Sequence, residues 1–150
     1  MKINLSIIAV CLAFFSSCGN KQSENKLEAV VDSFAVHYFN CQYRESMPFV
    51  TRDSRKWLYY AASQMHQADI DTLHAQTEGA THELENIALE GNDSCAHIRI
   101  HVKNFLQLDT IGQIGHFINN ATFVVQAVKE NGKWKIKMEG LPQSEKKNHD

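Results

Sequence analysis

VVQAVKENGKWKI, residues 124–136, is the stretch whose reading decides the fold. Asn131 and Gly132 both tolerate positive φ, so the pair predicts a two-residue hairpin turn. Beyond the turn Trp134, Ile136 and Met138 alternate with Lys133, Lys135 and Lys137, which gives one apolar face and one charged face. Before the turn lies a β-rich run from Phe117 to Val128. Further upstream Ala96, Ile98, Ile100 and Val102 alternate with His97, Arg99, His101 and Lys103, the pattern of a half-buried antiparallel strand. Leu84 to Glu90 supplies another strand and ends at the turn signal Gly91-Asn92. The second half of the chain therefore reads as a four-stranded meander.

The first half is helical. Leu27, Val30, Val31, Phe34, Tyr38 and Cys41 recur at spacings of three and four, predicting a helix from about Lys26 to Cys41 with Asn25 and Glu28 as its capping box. After the break at Pro48, Thr51 or Asp53 caps a second long helix carrying Trp57, Leu58, Ala61, Ala62, Met65 and Ala68. The stretch 69–80 reads either as a frayed helix or as a loop. Helices first and a meander afterwards predict an α+β layer, with N-terminal helices on one face of a curved four-stranded antiparallel sheet. This order of elements resembles the nuclear transport factor-like, or cystatin-like, cone over roughly residues 27–139. The long first helix, the 124–136 hairpin and the final strand with its tryptophan carry the resemblance. More narrowly, the chain resembles small bacterial lipoproteins of unknown function that contain such a domain.

The N-terminus supports that narrower likeness. Lys2, the apolar run Ile3 to Phe15 and two serines have the layout of a secretory signal. The run is shorter than the roughly 20 apolar residues of a membrane helix. Phe15-Ser16-Ser17-Cys18-Gly19 resembles the lipobox of bacterial lipoproteins, with Phe15 where leucine or valine is usual. The resemblance implies a signal peptide over 1–17 and a lipidated Cys18, palmitate or a similar chain included, at the start of the mature protein. Gly19 is not the aspartate that retains enterobacterial lipoproteins at the inner membrane, so the resemblance favours the outer membrane of the cell envelope. Residues 18–26 read as the lipidated cysteine and a polar tether, and eight extended residues reach about 28 Å at most. Residues 27–139 form the cone domain, and 140–150 read as a polar, frayed tail.

Residues 1–17 hold one of the 15 basic residues and none of the 17 acidic ones, so the remaining 133 residues carry a formal charge of −3. A mildly acidic domain of that size, without a dense basic patch, argues against nucleic acid as a partner. The eight histidines do not form a chelating pair in this reading. His97 and His101 are four apart on a strand, about 13 Å at 3.3 Å per residue, too far for two ligands of one zinc ion. His66 with His74, and His37, read as surface or satisfied side chains. Asp69 and Asp71 begin like a calcium loop, but no glycine stands at its sixth position and no glutamate at its twelfth. Neither a metal nor another cofactor is expected. Cys41, on the apolar helix stripe, and Cys95, on the polar parity of its strand, face different ways and are expected to stay unpaired.

The relatives that the cone resemblance brings in include isomerases, dehydratases and hydrolases, which place Asp, His or Tyr in an apolar cavity. Here the odd-numbered face of the 117–127 strand reads as inward, and its one polar group, Asn119, cannot act as a general base. The expected pocket comprises Tyr38, Trp57, Phe117, Asn119, Phe123 and Trp134, with no catalytic residue. The function expected is a membrane-anchored, non-catalytic module that binds a small apolar ligand or an envelope protein. Two alternatives stay open. One is a cone enzyme using His74, His82 or His116. The other is a filled cone whose outer sheet face, with His97, Arg99, His101 and Lys103, meets a partner or a second copy as a homodimer.

Overall fold

The 124–136 hairpin closes as its two turn residues require. Asn131 sits at φ 52° and Gly132 at φ 76°, and Glu130 pairs with Lys133 across the turn. The computed structural model describes residues 18–108 and 112–145, with side chains from residue 21 onward. The signal peptide expected over 1–17 lies outside the described residues, as does the side chain of Cys18. Within them β1 (Thr81–Glu90), β2 (Cys95–Gln107), β3 (His116–Glu130) and β4 (Lys133–Lys137) form one antiparallel sheet in the order β1-β2-β3-β4. Helices α1 (Cys18–Tyr38), α2 (Tyr43–Ser46), α3 (Arg55–Ser63) and α4 (Gln67–Ala75) precede it. This is the α+β layer that the order of patterns predicts.

The core lies where α1 crosses the concave face of the sheet. Leu27, Val31, Phe34 and Ala35 from α1 meet Ile98, Ile100 and Val102 from β2, and all seven are fully buried. Each large side chain in that set contributes roughly 1.5–3 kcal/mol by leaving water. The even-numbered residues of β2 that the alternation marks as inward are indeed the buried ones. Two irregularities curve the sheet. β1 carries a bulge between Leu84 and Asn86, and Asn104 takes a left-handed backbone at φ 55°. The ladder skips the step between the Lys103–Asn120 and Phe105–Ile118 pairs, where Asn104 faces Asn119. Beyond it the inward parity changes, so Phe105 is buried where an even-numbered residue would have been expected.

Several boundaries differ from expectation. α1 already includes the polar run before Lys26, so that run is helical and not an extended tether, and Asn25 lies inside the helix instead of capping it. A helix advances 1.5 Å per residue, so eight such residues span about 12 Å. At the other end α1 stops at Tyr38, and Cys41 sits in the turn beyond it at φ 58°. Cys41 and Cys95 are both free thiols. The second long helix is split: His66 is extended, with ψ 161°, and starts α4 afresh. Asp69 causes the split, because its carboxylate accepts the His66 backbone N–H at 2.7 Å. The expected tail also folds in part. Ser144 bridges to Phe123, and the Glu145 N–H donates to the Thr122 carbonyl at 2.8 Å, continuing the sheet where β4 ends.

Candidate functional site

One end of the α1–sheet interface is packed solid and the other holds an open-mouthed cavity of about 450 Å³. Its walls come from the end of α1 (Tyr38) and the turn after it (Phe39), from α2 (Tyr43), from α3 (Trp57, Tyr60, Ala61), from the kinked strands (Phe105, Phe123) and from the returning segment Leu141–Ser144. The aromatic groups brace one another. Phe34 stacks on Tyr38 at 5.1 Å, Tyr38 meets Tyr43 edge-on at 5.6 Å, and Phe39 leans on Phe123 at 4.8 Å. Phe105 closes the set against Phe123 at 5.4 Å. Such pairs hold geometry as well as area, since the rings prefer offset or edge contacts.

The turn after α1 is fixed by Asn40. Its amide donates to the Val36 carbonyl at 2.7 Å and to the Ala80 carbonyl at 3.2 Å, while its oxygen accepts the Ala80 N–H at 2.8 Å. Gly79 is a glycine for this reason: a Cβ there would stand 2.5 Å from the Asn40 amide oxygen. The staple ties the turn after α1 to the start of the first strand, at the rim of a second cavity and not on the wall of this one.

The polar groups on the cavity wall are uncharged. Burial, reinforced by the nearby Cys41 sulfur, pushes the Tyr38 phenol far above its usual pKa. Burial does the same to Tyr43, whose hydroxyl is hydrogen-bonded to Cys41. Burial also raises the Cys41 thiol, with the Tyr43 hydrogen bond opposing and Asp69 adding to the rise. These groups therefore stay protonated near neutral pH and act as hydrogen-bond donors, not as bases or nucleophiles. The Tyr38 hydroxyl makes no hydrogen bond among the described residues. Gln64, Gln107, Gln143 and Ser144 complete the polar lining, and among the described residues no carboxylate, histidine, lysine or arginine lines this cavity.

Three of the six expected pocket residues, Tyr38, Trp57 and Phe123, line this cavity. The other three do not. Asn119 is exposed, because the break opposite Asn104 ends the inward run of odd-numbered residues at Ala121. Phe117 lies instead on a second cavity, beside Cys41, Ile70, Leu73 and Leu106. Trp134 belongs to the packed end: it is 4% exposed, its indole N–H donates to Ser23 Oγ at 3.2 Å, and Lys129 lies over its ring. Of the histidines weighed as acid–base groups, His74 is exposed at the rim of the second cavity. His82 faces Asp32 at 2.6 Å between β1 and α1, and His116 is exposed at the start of β3.

Phe39, Tyr43, Phe105 and the Leu141–Ser144 segment escape the sequence reading. Phe39 is adjacent to the stripe residue Tyr38 and comes inward only because α1 ends there. Phe105 is masked by the parity change, although an asparagine interrupting a clean alternation is a bulge signal. Leu141-Pro142, an apolar pair in a polar tail, is the sign that this segment returns to the domain.

No protein-family model and no curated protein matches the chain. Among solved structures it is similar to a protein of unknown function from Mycobacterium tuberculosis, at 13% identity and a TM-score of 0.52, over 89% of this chain and 78% of that one. A second likeness is to a protein carrying the name scytalone dehydratase from Novosphingobium aromaticivorans, at 13% identity and a TM-score of 0.48, over 85% and 87% of the two chains. The first likeness is one of fold, and it agrees with the nuclear transport factor-like cone that the order of elements resembles.

Proposed function

We propose that this chain is a lipid-anchored binding module whose cone cavity holds a small molecule with an apolar body and a hydrogen-bond acceptor such as a carbonyl. The observation that carries the reading is the cavity itself. Its volume of about 450 Å³ falls in the usual 300–1,000 Å³ range of small-molecule sites. Seven aromatic residues line it, and neutral phenols, amides and a hydroxyl supply its polar groups. General acid–base catalysis needs a group whose pKa lies near the working pH. The phenols on its wall, and the Cys41 thiol bonded to Tyr43 behind them, are displaced away from it, which supports binding over proton transfer. A solvent-accessible space of this size also favours a ligand over a filled cone acting only through its outer face.

The anchor rests on the lipobox-like Ser16-Ser17-Cys18 boundary. Among the described residues no helix is long and apolar enough to cross a membrane. Two or more acyl chains hold a protein stably at a bilayer where one does not. With the run after Cys18 helical and held at Ser23 by Trp134, only five residues, about 8 Å of helix, separate the anchor from its first contact with the domain. Mass spectrometry of the membrane-extracted N-terminal peptide is expected to find an acylated Cys18, and Cys18→Ala to move the protein to the soluble fraction. An unmodified Cys18 would refute the anchor.

The cavity is tested separately. Protein purified from its own membranes is extracted into organic solvent, and the extract is examined by mass spectrometry. Ala61→Phe places a ring in the cavity and is expected to abolish the co-purified molecule while the thermal melt stays cooperative. Equal occupancy in that variant would reject the cone interior as the site.

A further inference from the structure

The β1–β2 hairpin gathers three metal-binding side chains on the face of the sheet opposite the cavity. Glu90 and Cys95 are paired across the ladder, and His97 follows Cys95 by two residues, so both project from the same face of β2. The carboxylate, thiol and imidazole donor atoms all lie within 4.8 Å of one another. His97 Nδ1 is already 3.2 Å from Glu90 Oε1. Ligands bound tetrahedrally to zinc at about 2.0–2.3 Å stand roughly 3.3–3.6 Å apart. The Glu90–His97 pair meets that spacing, and any wider pair closes to it by a side-chain movement of about 1 Å.

The backbone beneath the cluster is fixed. Gly91, Asn92 and Asp93 all take positive φ, at 58°, 56° and 59°. Ser94 Oγ donates to the Gly91 carbonyl at 2.5 Å, and the Ser94 carbonyl accepts the Lys129 N–H at 3.1 Å. From β3, the Gln126 amide reaches Cys95 Sγ at 3.2 Å, a donor suited to a metal-bound thiolate. Lys137, which pairs with Gln126 across the sheet, is engaged by Glu139 at 3.1 Å. His97 thus meets Cys95 and Glu90, whereas His101, four residues further along the same strand, stays too far from it to share an ion.

We propose that Glu90, Cys95 and His97 form a three-ligand surface site for a borderline-soft divalent metal of the zinc class. One thiolate, one imidazole and one carboxylate make a donor set for zinc or its neighbours and not for calcium or magnesium. Binding exchanges the Cys95 S–H bond for an S–metal bond and releases one proton to solvent, with no change of oxidation state. The thiolate and carboxylate charges balance the ion, and the fourth position takes water. The site is separate from the cavity and stands or falls independently of it.

Cobalt(II) is the probe. Added to the reduced full-length protein under anaerobic conditions near neutral pH, it is expected to give the near-ultraviolet thiolate-to-cobalt charge-transfer band, which zinc then removes by displacement. Cys95→Ser should abolish the band and Cys41→Ser should keep it. His97→Ala and Glu90→Gln should each weaken binding at least about tenfold, the lower end of what losing even an outer-shell partner costs. No band, a band that survives Cys95→Ser, or an affinity indifferent to His97→Ala would overturn the site. All four variants change surface positions or a half-buried thiol, and circular dichroism melts verify that each is folded.

Discussion

The two ends of the cone interior draw on the same kinds of residue and come out differently. At one end Trp134 fills the space between the 131–132 hairpin and the first turns of α1, with its indole N–H held by Ser23. At the other, Trp57, Phe39, Phe105 and Phe123 stand around a cavity of about 450 Å³. Composition does not separate them; backbone does. The packed end lies between regular stretches, a continuous helix and a clean alternation of strand residues. The cavity end is where the regular elements stop: Cys41 and Asn104 take left-handed backbones, and the helix after Trp57 breaks at His66. Each break turns an element aside before the facing side chains can meet. An apolar wall becomes a pocket where the chain is held apart by its own hydrogen bonds.

The two tryptophans give the sharpest way to break this comparison. Trp134→Ala removes a fully packed indole and is expected to cost about 3–5 kcal/mol, read as a lower urea midpoint at unchanged slope. Trp57→Ala trims the wall of a space that is already there, so it should cost less than half as much. Equal losses would mean that the cavity collapses onto Trp57 in solution, and the distinction between the ends would go with it.

Asp69 tests what holds the cavity end apart. Its side chain is fully buried, and its carboxylate accepts the N–H groups of His66 and Gly115, each at 2.7 Å. Burial by itself would raise its pKa. The two backbone hydrogen bonds and the facing His66 ring overcome that and hold it below the usual carboxylate value. A carboxyl with a depressed folded pKa adds stability that is fully present above the unfolded value, near about 4, and is lost as pH falls through the folded one. Asp69→Asn should therefore destabilise by about 1–3 kcal/mol at pH 7, and the gap from the wild type should close in melts taken below about pH 4. A gap that persists at low pH would show that the amide fails for steric and not electrostatic reasons.

A smaller effect is expected at the Asn40 staple. Gly79→Ala puts a Cβ against the Asn40 amide oxygen and should loosen one or two hydrogen bonds, each worth about 0.5–1.5 kcal/mol net. Hydrogen exchange of the Ala80 amide reports it directly. Unchanged protection there would mean that the staple does not hold the turn after α1 against the first strand.

The contrast between the two ends also marks how far sequence can be read. Regular elements repeat their signal. Leu27, Val31 and Phe34 recur at helical spacing, and Ala96, Ile98, Ile100 and Val102 alternate, so the α+β layer and its packed end are legible in the residues themselves. Asn131-Gly132 is legible because a two-residue turn has few chemical solutions. The cavity is built from exceptions, and an exception has no period. Asn119 reads as inward only if an alternation is extended past the point where Asn104 breaks it on the neighbouring strand. Trp134 reads as a pocket residue because facing alone does not say which end of an interior a side chain occupies. Tyr38 and Phe123 reach the cavity wall because each lies at the edge of a regular run. The Glu90–Cys95–His97 cluster escapes for a different reason: Glu90 joins the other two across a turn, and only strand register reveals that meeting.

The smallest expected change in stability is the most informative about function. The Tyr38 hydroxyl makes no hydrogen bond among the described residues, while its ring is stacked on Phe34 and set edge-on to Phe39. Tyr38→Phe keeps every ring contact and removes only the donor. Melting should therefore move by no more than about 0.5 kcal/mol either way. If the hydroxyl is there to meet an acceptor on a bound molecule, its loss removes one ligand hydrogen bond, about 0.5–1.5 kcal/mol, or roughly a two- to twelvefold weaker affinity at 1.4 kcal/mol per decade. Titrating the molecule recovered from the native protein back into both forms compares the two directly. A variant as stable as the wild type that binds more weakly separates the ligand-facing group from the packed wall behind it. Equal affinity would leave Tyr38 as wall alone and move the search for the polar contact to Gln64 and Gln143, across the same cavity.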